Sequence, residues 1–225
     1  MTPPLGAWGL TGTPVPLPGG HRNVVLRVGD YVLKTTRRSE TALRWLGPVH
    51  DVARAIGLNA PGLVPDNRGW LVCDGWTCEP FCPGVPTPPG QIGAKIAAFH
   101  AATRNIPQRP GFADAHTLLT APRGGDIDLT RIPEPLVAQM RKAWAAMPSM
   151  PACIVHADLN PANILTAPDG TITVLDWDEA RRDHKGFDAI EPDTATARAR
   201  LAWEIACCWE IEPERARALA HKMAG

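Results

Sequence analysis

The segment His156-Ala-Asp-Leu-Asn-Pro-Ala-Asn-Ile-Leu165, with Val174-Leu-Asp-Trp-Asp178 after it, decides the fold of this 225-residue chain. An apolar run leads into each segment, residues 152–155 into the first and residues 172–175 into the second. Short apolar runs of this kind predict strands. Each segment therefore has polar residues at the end of a predicted strand, where a loop can present them.

Three of these polar residues have the chemistry of a phosphoryl-transfer site. Asn163 follows Asp158 by five positions, and Asp176 follows Asn163 by thirteen. One carboxylate can orient an attacking hydroxyl and accept its proton, while an amide and a second carboxylate can hold Mg²⁺ on nucleotide phosphates. We therefore predict Asp158 as the base and Asn163 and Asp176 as metal ligands. The structural alternative is a turn residue, a helix cap and a strand-end residue.

The two motifs together resemble the catalytic segments of kinases, in which H-R-D-x-x-x-x-N precedes D-F-G. Here the tripeptides are His156-Ala-Asp158 and Asp176-Trp-Asp178, a variant similar to the aminoglycoside phosphotransferase-like family, which includes choline and homoserine kinases. The resemblance implies an α+β, bilobal protein-kinase-like fold. It places a small β-rich nucleotide-binding lobe at residues 1–83 and a mainly helical catalytic and substrate lobe at residues 84–225.

The predicted nucleotide site begins with a glycine pair. Gly19 and Gly20 precede Asn23 and two β-rich runs within residues 24–34, which predict a hairpin around Gly-Asp. Glycine lets backbone N–H groups approach phosphate oxygens, although a Gly-Gly pair is also common in plain turns. The resemblance assigns the α- and β-phosphates to Lys34 at the end of the hairpin. The alternative for Lys34 is a solvated strand-end side chain.

Residues 39–56 predict the helix behind the nucleotide site, because apolar residues recur there every three or four positions. The resemblance requires an acid on this helix to pair with Lys34. Glu40 is the first choice and Asp51 the rival, although an acid also suits the first turn of a helix. Pro48 predicts a kink or a division into two helices.

A second hairpin is predicted over residues 70–81, with Asp-Gly at its turn. In the resembled fold its second strand becomes the hinge, where backbone groups contact adenine. Glu79 and Phe81 are therefore predicted nucleotide-binding residues, and residues 83–90 a connector. Further helices are predicted at 91–102, 132–147 and 195–224. His100, near the end of the first, is interpreted as a packing or hydrogen-bonding residue.

The segment 176–193 contains seven acidic residues against two arginines and one lysine. A solvated loop explains this excess, and so does an acidic wall that recognises a cationic substrate. The candidate substrate residues are Asp178, Glu179, Asp183 and Asp188. Asp178 could also assist metal binding or cap the segment that follows.

Composition limits the partners. The formal net charge is zero and the pI is near 7, so neither a nucleic acid nor an anionic membrane is expected to bind. No apolar run approaches the roughly 20 residues of a membrane span, and no secretory signal is evident. We expect a cytoplasmic monomer or homodimer with reduced cysteines.

The predicted reaction is transfer of the γ-phosphate of ATP or GTP, with Mg²⁺, to a hydroxyl of a small molecule. An aminoglycoside-type antibiotic, which would make the protein a resistance enzyme, and a metabolite are both candidate acceptors. One alternative is a catalytically inactive nucleotide-binding scaffold. Others are a protein kinase and a metal-dependent hydrolase using Asp158, Asp176 and Asp178.

Overall fold

The computed structural model describes residues 2–17 and 22–224. Its strands are β1 (Val15–Pro16), β2 (Val25–Val28), β3 (Tyr31–Thr35), β4 (Trp76–Pro80), β5 (Val85–Pro86), β6 (Arg123–Gly124), β7 (Ile127–Asp128), β8 (Cys153–Val155), β9 (Ile164–Thr166), β10 (Ile172–Val174) and β11 (Arg181–Asp183). Its α-helices are α1 (Glu40–Arg44), α2 (Leu46–Ala55), α3 (Gly93–Ala102), α4 (Glu134–Ala145), α5 (Thr194–Cys208) and α6 (Pro213–Ala224). Within the described ranges, no helix is long and apolar enough to cross a bilayer.

The chain forms two compact units. The first consists of the residues up to Phe99 together with Leu159–Trp177, and the second of His100–Asp158 together with the residues from Asp178 onward. The first contains a four-stranded sheet, β1-β2-β3-β4, and a three-stranded sheet, β10-β9-β5. The second is mainly helical. The predicted α+β class is confirmed, whereas the functional lobe boundary after residue 83 stays a prediction.

The predicted hairpin of residues 24–34 is present in the first unit. Strands β2 and β3 pair antiparallel from Val25 opposite Lys34 to Val28 opposite Tyr31. The turn between them uses Gly29 at a φ of 58°, a conformation that glycine adopts without a steric penalty. Alternation along the strands buries Val28 and Leu33 against Trp76 and Cys78. This packing fixes the strand that carries Lys34.

The prediction that residues 70–73 form the first strand of a second hairpin is wrong. Asp74 and Gly75 have positive φ values of 48° and 76°, as an Asp-Gly turn requires. Within the described residues 70–81, however, the turn is crossed by an isolated bridge from Cys73 to Trp76, and residues 70–73 form no strand. Side chains hold the backbone here instead of a ladder. The Asp66 carboxylate accepts the Trp70 N–H at 3.0 Å, and other backbone N–H groups of this loop are also bound by carboxylates.

The predicted helix over residues 39–56 is divided in two. Ser39 caps α1 by accepting the Ala42 N–H, and α2 begins after Trp45. Pro48 lies in the first turn of α2, where its missing N–H would have had no partner within the helix. The sequence therefore located Pro48 correctly as the cause of a division. Helices α3 and α4 lie within the ranges predicted for them.

The second unit is built around helix α5. It packs against α4 and α6, and its apolar side chains form one core with residues of β8. The Trp144 indole on α4 donates a hydrogen bond to the Ala199 carbonyl on α5 at 3.2 Å. Strand β8 pairs antiparallel with β11, with Val155 opposite Arg181. This pairing places the end of β8 in a buried environment, from which the chain enters the Asp158 loop.

Gly84 tests how tightly the connector packs on strand β9. A Cβ at this position would lie 2.9 Å from the Leu165 Cβ and 3.1 Å from the Thr166 backbone. We expect Gly84→Ala to lower the free energy of unfolding by about 1–3 kcal/mol, because backbone must move. At Gly90 nothing lies within 4 Å, so Gly90→Ala should change it by less than about 0.5 kcal/mol. Urea unfolding measures both, and equal values would contradict the packing described.

Candidate active site

The hairpin of β9 and β10 positions two of the three predicted catalytic residues. Its register pairs Ile164 with Val174, and just beyond that pair the Leu175 N–H donates to the Asn163 carbonyl at 2.8 Å. Asn163 is the last residue of a short 3-10 turn, whose N–H groups are capped by the Asn160 side chain. The predicted metal ligands Asn163 and Asp176 therefore lie at the same end of one hairpin.

Lys34 reaches this hairpin from the four-stranded sheet. Its Nζ donates to Asp176 Oδ1 at 2.5 Å, and the two side chains are 14% and 41% exposed. The Asp176 backbone is left-handed, with a φ of 58°. Aspartate tolerates this conformation better than most residues, but still at a cost of about 1 kcal/mol. The first unit thus brings together a cation, a carboxylate and the amide residue Asn163.

The donor set of this group suits Mg²⁺. Among the described residues, no group of three or more His, Cys, Asp and Glu side chains is arranged to hold a metal ion. Mg²⁺ that arrives with a nucleotide needs only one or two hard oxygen ligands from the protein besides the phosphates and water. The Asp176 carboxylate and the Asn163 amide oxygen are ligands of that kind. Bound there, Mg²⁺ would neutralise phosphate charge.

Asp158 belongs to the second unit and follows strand β8. Two backbone N–H groups of its loop donate to the carboxylate of Asp188, His156 at 2.9 Å and Ala157 at 2.7 Å. Ala157 has a φ of 68°, which an alanine adopts only when its surroundings enforce it. The Asp158 N–H in turn donates to His156 Nδ1 at 3.3 Å. The loop is therefore held by a buried anion from another part of the chain.

The carboxylate of Asp188 is completely enclosed. His100 Nε2 lies 2.8 Å from its Oδ2, so His100 has the hydrogen-bonding role predicted for it. Burial alone would raise the pKa of Asp188. Hydrogen bonds from His100 and the Ala157 N–H, with the nearby His156, outweigh burial, and the net pKa is below its ordinary value. Asp188 is thus an anion at neutral pH.

A buried arginine that the sequence analysis missed supports the segment after Asp178. Arg109 Nη1 donates to the Asp178 carbonyl at 2.8 Å and to the Ala180 carbonyl at 3.1 Å. Arg181 Nη1 donates to the intervening Glu179 carbonyl at 3.2 Å. Side-chain donors therefore fix three consecutive carbonyls. Arg109 lies in the loop-rich stretch 103–130, where no local pattern marked it.

The acidic segment has two kinds of residue. Asp183 and Asp188 are 2% and 4% exposed and are bonded internally, Asp183 to Arg181 at 2.8 Å. Asp178 and Glu179 are partly exposed, and the Cys207 thiol lies 3.8 Å from Glu179 Oε2. Asp183 and Asp188 are therefore engaged within the fold, whereas Asp178 and Glu179 reach solvent and stay candidate substrate residues.

The other predicted nucleotide residues have these positions. Gly19 and Gly20 lie outside the described residues, and Asn23 is partly exposed. The Glu40 carboxylate pairs with Arg44 at 2.6 Å and accepts the Leu71 N–H. The pairing of Glu40 with Lys34 stays a prediction.

In the predicted hinge, Glu79 is opposite Val32 in the sheet. The Phe81 N–H donates to the Asp30 carbonyl at 2.8 Å, and the Arg27 guanidinium stacks 3.7 Å from the Phe81 ring centre. The backbone of residue 81 is therefore bonded toward β3.

Comparisons with known proteins identify the family and the fold. Residues 13–191 match the profile of the phosphotransferase enzyme family (APH), which confirms the predicted resemblance. Choline kinase LicA from Streptococcus pneumoniae superposes with a TM-score of 0.61 at 11% identity, over 98% of this chain and 94% of that one. Macrolide 2'-phosphotransferase MphH from Brachybacterium faecium gives 0.55 at 18%, over 96% and 94%.

A third structure, the aminoglycoside phosphotransferase from Alicyclobacillus acidocaldarius, gives a TM-score of 0.53 at 15% identity, over 98% of this chain and 94% of that one. At such low identity these likenesses show the fold, which is the predicted protein-kinase-like one. The comparison with curated protein sequences found no significant match.

Asp188→Asn should destabilise the protein by about 3 kcal/mol, because its amide nitrogen cannot accept the N–H groups that now converge on the carboxylate. The lowered pKa of Asp188 means that its ionised form stabilises the fold above the ordinary carboxyl range of about 4. This contribution is lost as pH falls through the lower folded-state pKa. The variant should therefore lose less stability than the wild type on acidification below about pH 4.

The matched control is Asp193→Asn, an exposed aspartate that caps helix α5 through the Thr196 N–H. Asparagine caps equally well, so the change should stay within about 0.5 kcal/mol. Urea unfolding between pH 2.5 and 7 measures all three proteins. Parallel pH curves for wild type and Asp188→Asn would contradict the role assigned to Asp188.

Proposed function

Because the chain belongs to the phosphotransferase enzyme family (APH), we propose that it transfers the γ-phosphate of ATP to a hydroxyl group of a small molecule. The observation that carries this proposal is the contact between Lys34 and Asp176 at 2.5 Å, beside Asn163 on the same hairpin. A cation next to two hard oxygen ligands is the equipment that a Mg²⁺-nucleotide needs.

Each residue has one task in the proposed reaction. Lys34 binds the α- and β-phosphates, while Asn163 and Asp176 would hold Mg²⁺, which would neutralise phosphate charge. Asp158 orients the acceptor hydroxyl and takes its proton as the oxygen attacks phosphorus. The bond from the γ-phosphorus to the ADP oxygen breaks, the bond to the acceptor oxygen forms, and ADP leaves.

The backbone of the predicted hinge favours ATP over GTP as donor. The Phe81 N–H is bonded to the Asp30 carbonyl in the turn before β3. If the alternation of β4 continues past its last residue, Pro80, the Pro80 carbonyl and the Cys82 N–H face the opposite edge. An acceptor followed two residues later by a donor complements adenine, whose N6 amino group donates and whose N1 accepts. Guanine has the reverse pattern at these atoms, an accepting O6 and a donating N1–H.

The acceptor is proposed to be a small molecule with a cationic group near its hydroxyl. Asp178 and Glu179 support this, because they are partly exposed acids on a turn whose carbonyls are fixed by Arg109 and Arg181. A rigid carboxylate recognises an ammonium group at a lower entropic cost than a mobile one. Choline and aminoglycosides are the first acceptors to test, because the similar structures include a choline kinase and an aminoglycoside phosphotransferase.

The direct test incubates the protein with Mg²⁺ and γ-labelled ATP or GTP and a panel of hydroxyl compounds, with and without ammonium groups. Label should pass from ATP to a cationic compound. Asp158→Ala should lower the rate by about 100- to 10,000-fold and still bind Mg-ATP. Asp169→Ala, a change at an exposed turn aspartate, is the matched control and should keep full activity.

Other outcomes identify the alternatives. Full activity of Asp158→Ala would contradict the assigned base. Nucleotide binding without any transfer would favour an inactive scaffold, whereas label in protein would favour a protein kinase. Release of phosphate from many phosphoesters without nucleotide preference would indicate a metal-dependent hydrolase. Use of GTP but not of ATP would contradict the assigned hinge contacts and leave the reaction class unchanged.

A further inference from the structure

A side chain closes the turn that contains Asp176. Strand β10 ends at Val174, and two residues later Asp176 adopts a left-handed conformation with a φ of 58°. The indole N–H of Trp177 donates to the Val174 carbonyl at 2.9 Å. This hydrogen bond spans Leu175 and Asp176, so residues 174–177 form a loop whose two ends are tied together around the carboxylate.

The Trp177 ring is itself held on two sides. It is 5% exposed. His50 of helix α2 meets it edge-to-face with ring centres 5.1 Å apart, and Phe99 of helix α3 does so at 5.6 Å. Aromatic pairs favour this geometry over a face-to-face sandwich. A ring fixed by two helices gives its N–H a fixed position, and the hydrogen bond to Val174 transmits that position to the intervening residues.

We propose that Trp177 is a positioning residue, whose indole N–H holds Asp176 in the conformation that binds Mg²⁺ beside Lys34. The inference rests on the proposed function, because it concerns the metal-binding carboxylate of that site. Asp176 needs such a constraint. A left-handed aspartate relaxes to a right-handed or extended backbone when its neighbours permit it, and its carboxylate then leaves the position 2.5 Å from Lys34 Nζ.

The hydrogen bond separates this role from ordinary core packing. A phenylalanine at position 177 keeps an aromatic ring between His50 and Phe99 but has no N–H to give to Val174. The same substitution can be made at Trp144, a buried indole of the second unit that also donates to a backbone carbonyl. Trp177→Phe and Trp144→Phe thus remove the same bond type at two places, only one of which encloses Asp176.

The experiment measures the Kd of ATP by calorimetry, with Mg²⁺ and with EDTA, for the full-length wild type and both variants. The wild type should bind ATP more tightly with Mg²⁺. Trp177→Phe should weaken ATP binding in Mg²⁺ by about tenfold, because the free energy of one hydrogen bond corresponds to roughly that change in Kd. In EDTA, the Kd should stay within about twofold of the wild-type value. Trp144→Phe should lower the thermal midpoint but keep the wild-type response to Mg²⁺.

A third variant, His50→Leu, separates the N–H bond from the ring contact. It removes one edge-to-face partner and leaves the indole able to donate to Val174. We expect its Mg²⁺ response to stay close to that of the wild type. A loss as large as that of Trp177→Phe would assign the positioning to ring packing and overturn the inference.

The remaining outcomes are also decisive. If Trp177→Phe keeps the full Mg²⁺ response, Trp177 only fills the core and the inference is wrong, while the proposed function stands. If the wild type binds ATP with no Mg²⁺ dependence, the proposed metal site fails first and the inference fails with it. Should Trp177→Phe not fold, site-specific replacement of Trp177 by 3-benzothienylalanine, which keeps the bicyclic ring but has no N–H to give to the Val174 carbonyl, should reduce the Mg²⁺ response. An unchanged response in that variant would contradict the proposal.

Discussion

The contact between Lys34 and Asp176 is the interaction that several features of the first unit combine to form. It joins strand β3 of one sheet to the end of the β9–β10 hairpin of the other. Both side chains are only partly screened from water, so the ion pair itself contributes little to stability. Its importance is geometric. The hairpin register, the left-handed Asp176 and the bond from Trp177 to Val174 are all needed for the two charges to meet.

In the second unit, buried charged side chains fix the conformation of two loops. Asp188 organises the loop before Asp158 by accepting two of its N–H groups, and Arg109 organises the segment after Asp178 by donating to two of its carbonyls. A buried ion pair is a poor source of net stability, because desolvation offsets most of the attraction. It does specify one backbone conformation, since any other leaves a buried charge without its partners. Loops with residues such as Ala157 at a positive φ require that specification.

The sequence was sufficient where the signal was local. The apolar runs next to Asp158, Asn163 and Asp176 predicted strands that end in loops, and the turn at Gly29 predicted the strand that carries Lys34. The α+β class and the family follow from these elements. Pro48 marked the division between α1 and α2 for a physical reason that the structure confirms.

The sequence was insufficient where distant parts of the chain decide the conformation. Asp188 lies about thirty residues after the loop that it holds, and Arg109 about seventy before its carbonyl partners. Neither has a neighbouring pattern that reveals its partner, and Asp188 was predicted only as a substrate candidate. Residues 70–73 have the β-rich composition of a strand, but carboxylates of Asp66 and Glu40 bind the N–H groups of Trp70 and Leu71. A composition pattern cannot anticipate that competition.

The most direct test of the account is thermal unfolding with Mg-ATP at about a hundredfold its Kd, for the wild type and Lys34→Met. Binding to the folded state alone adds about 2.7 kcal/mol at that concentration, so the wild-type midpoint should rise by about 5–10 °C. Lys34→Met should show a rise of less than about 2 °C. Lys95→Met, whose exposed lysine bonds the Gly57 carbonyl in the same unit, should respond like the wild type. An equal rise in Lys34→Met and the wild type would contradict the claim that Lys34 and Asp176 form the nucleotide site.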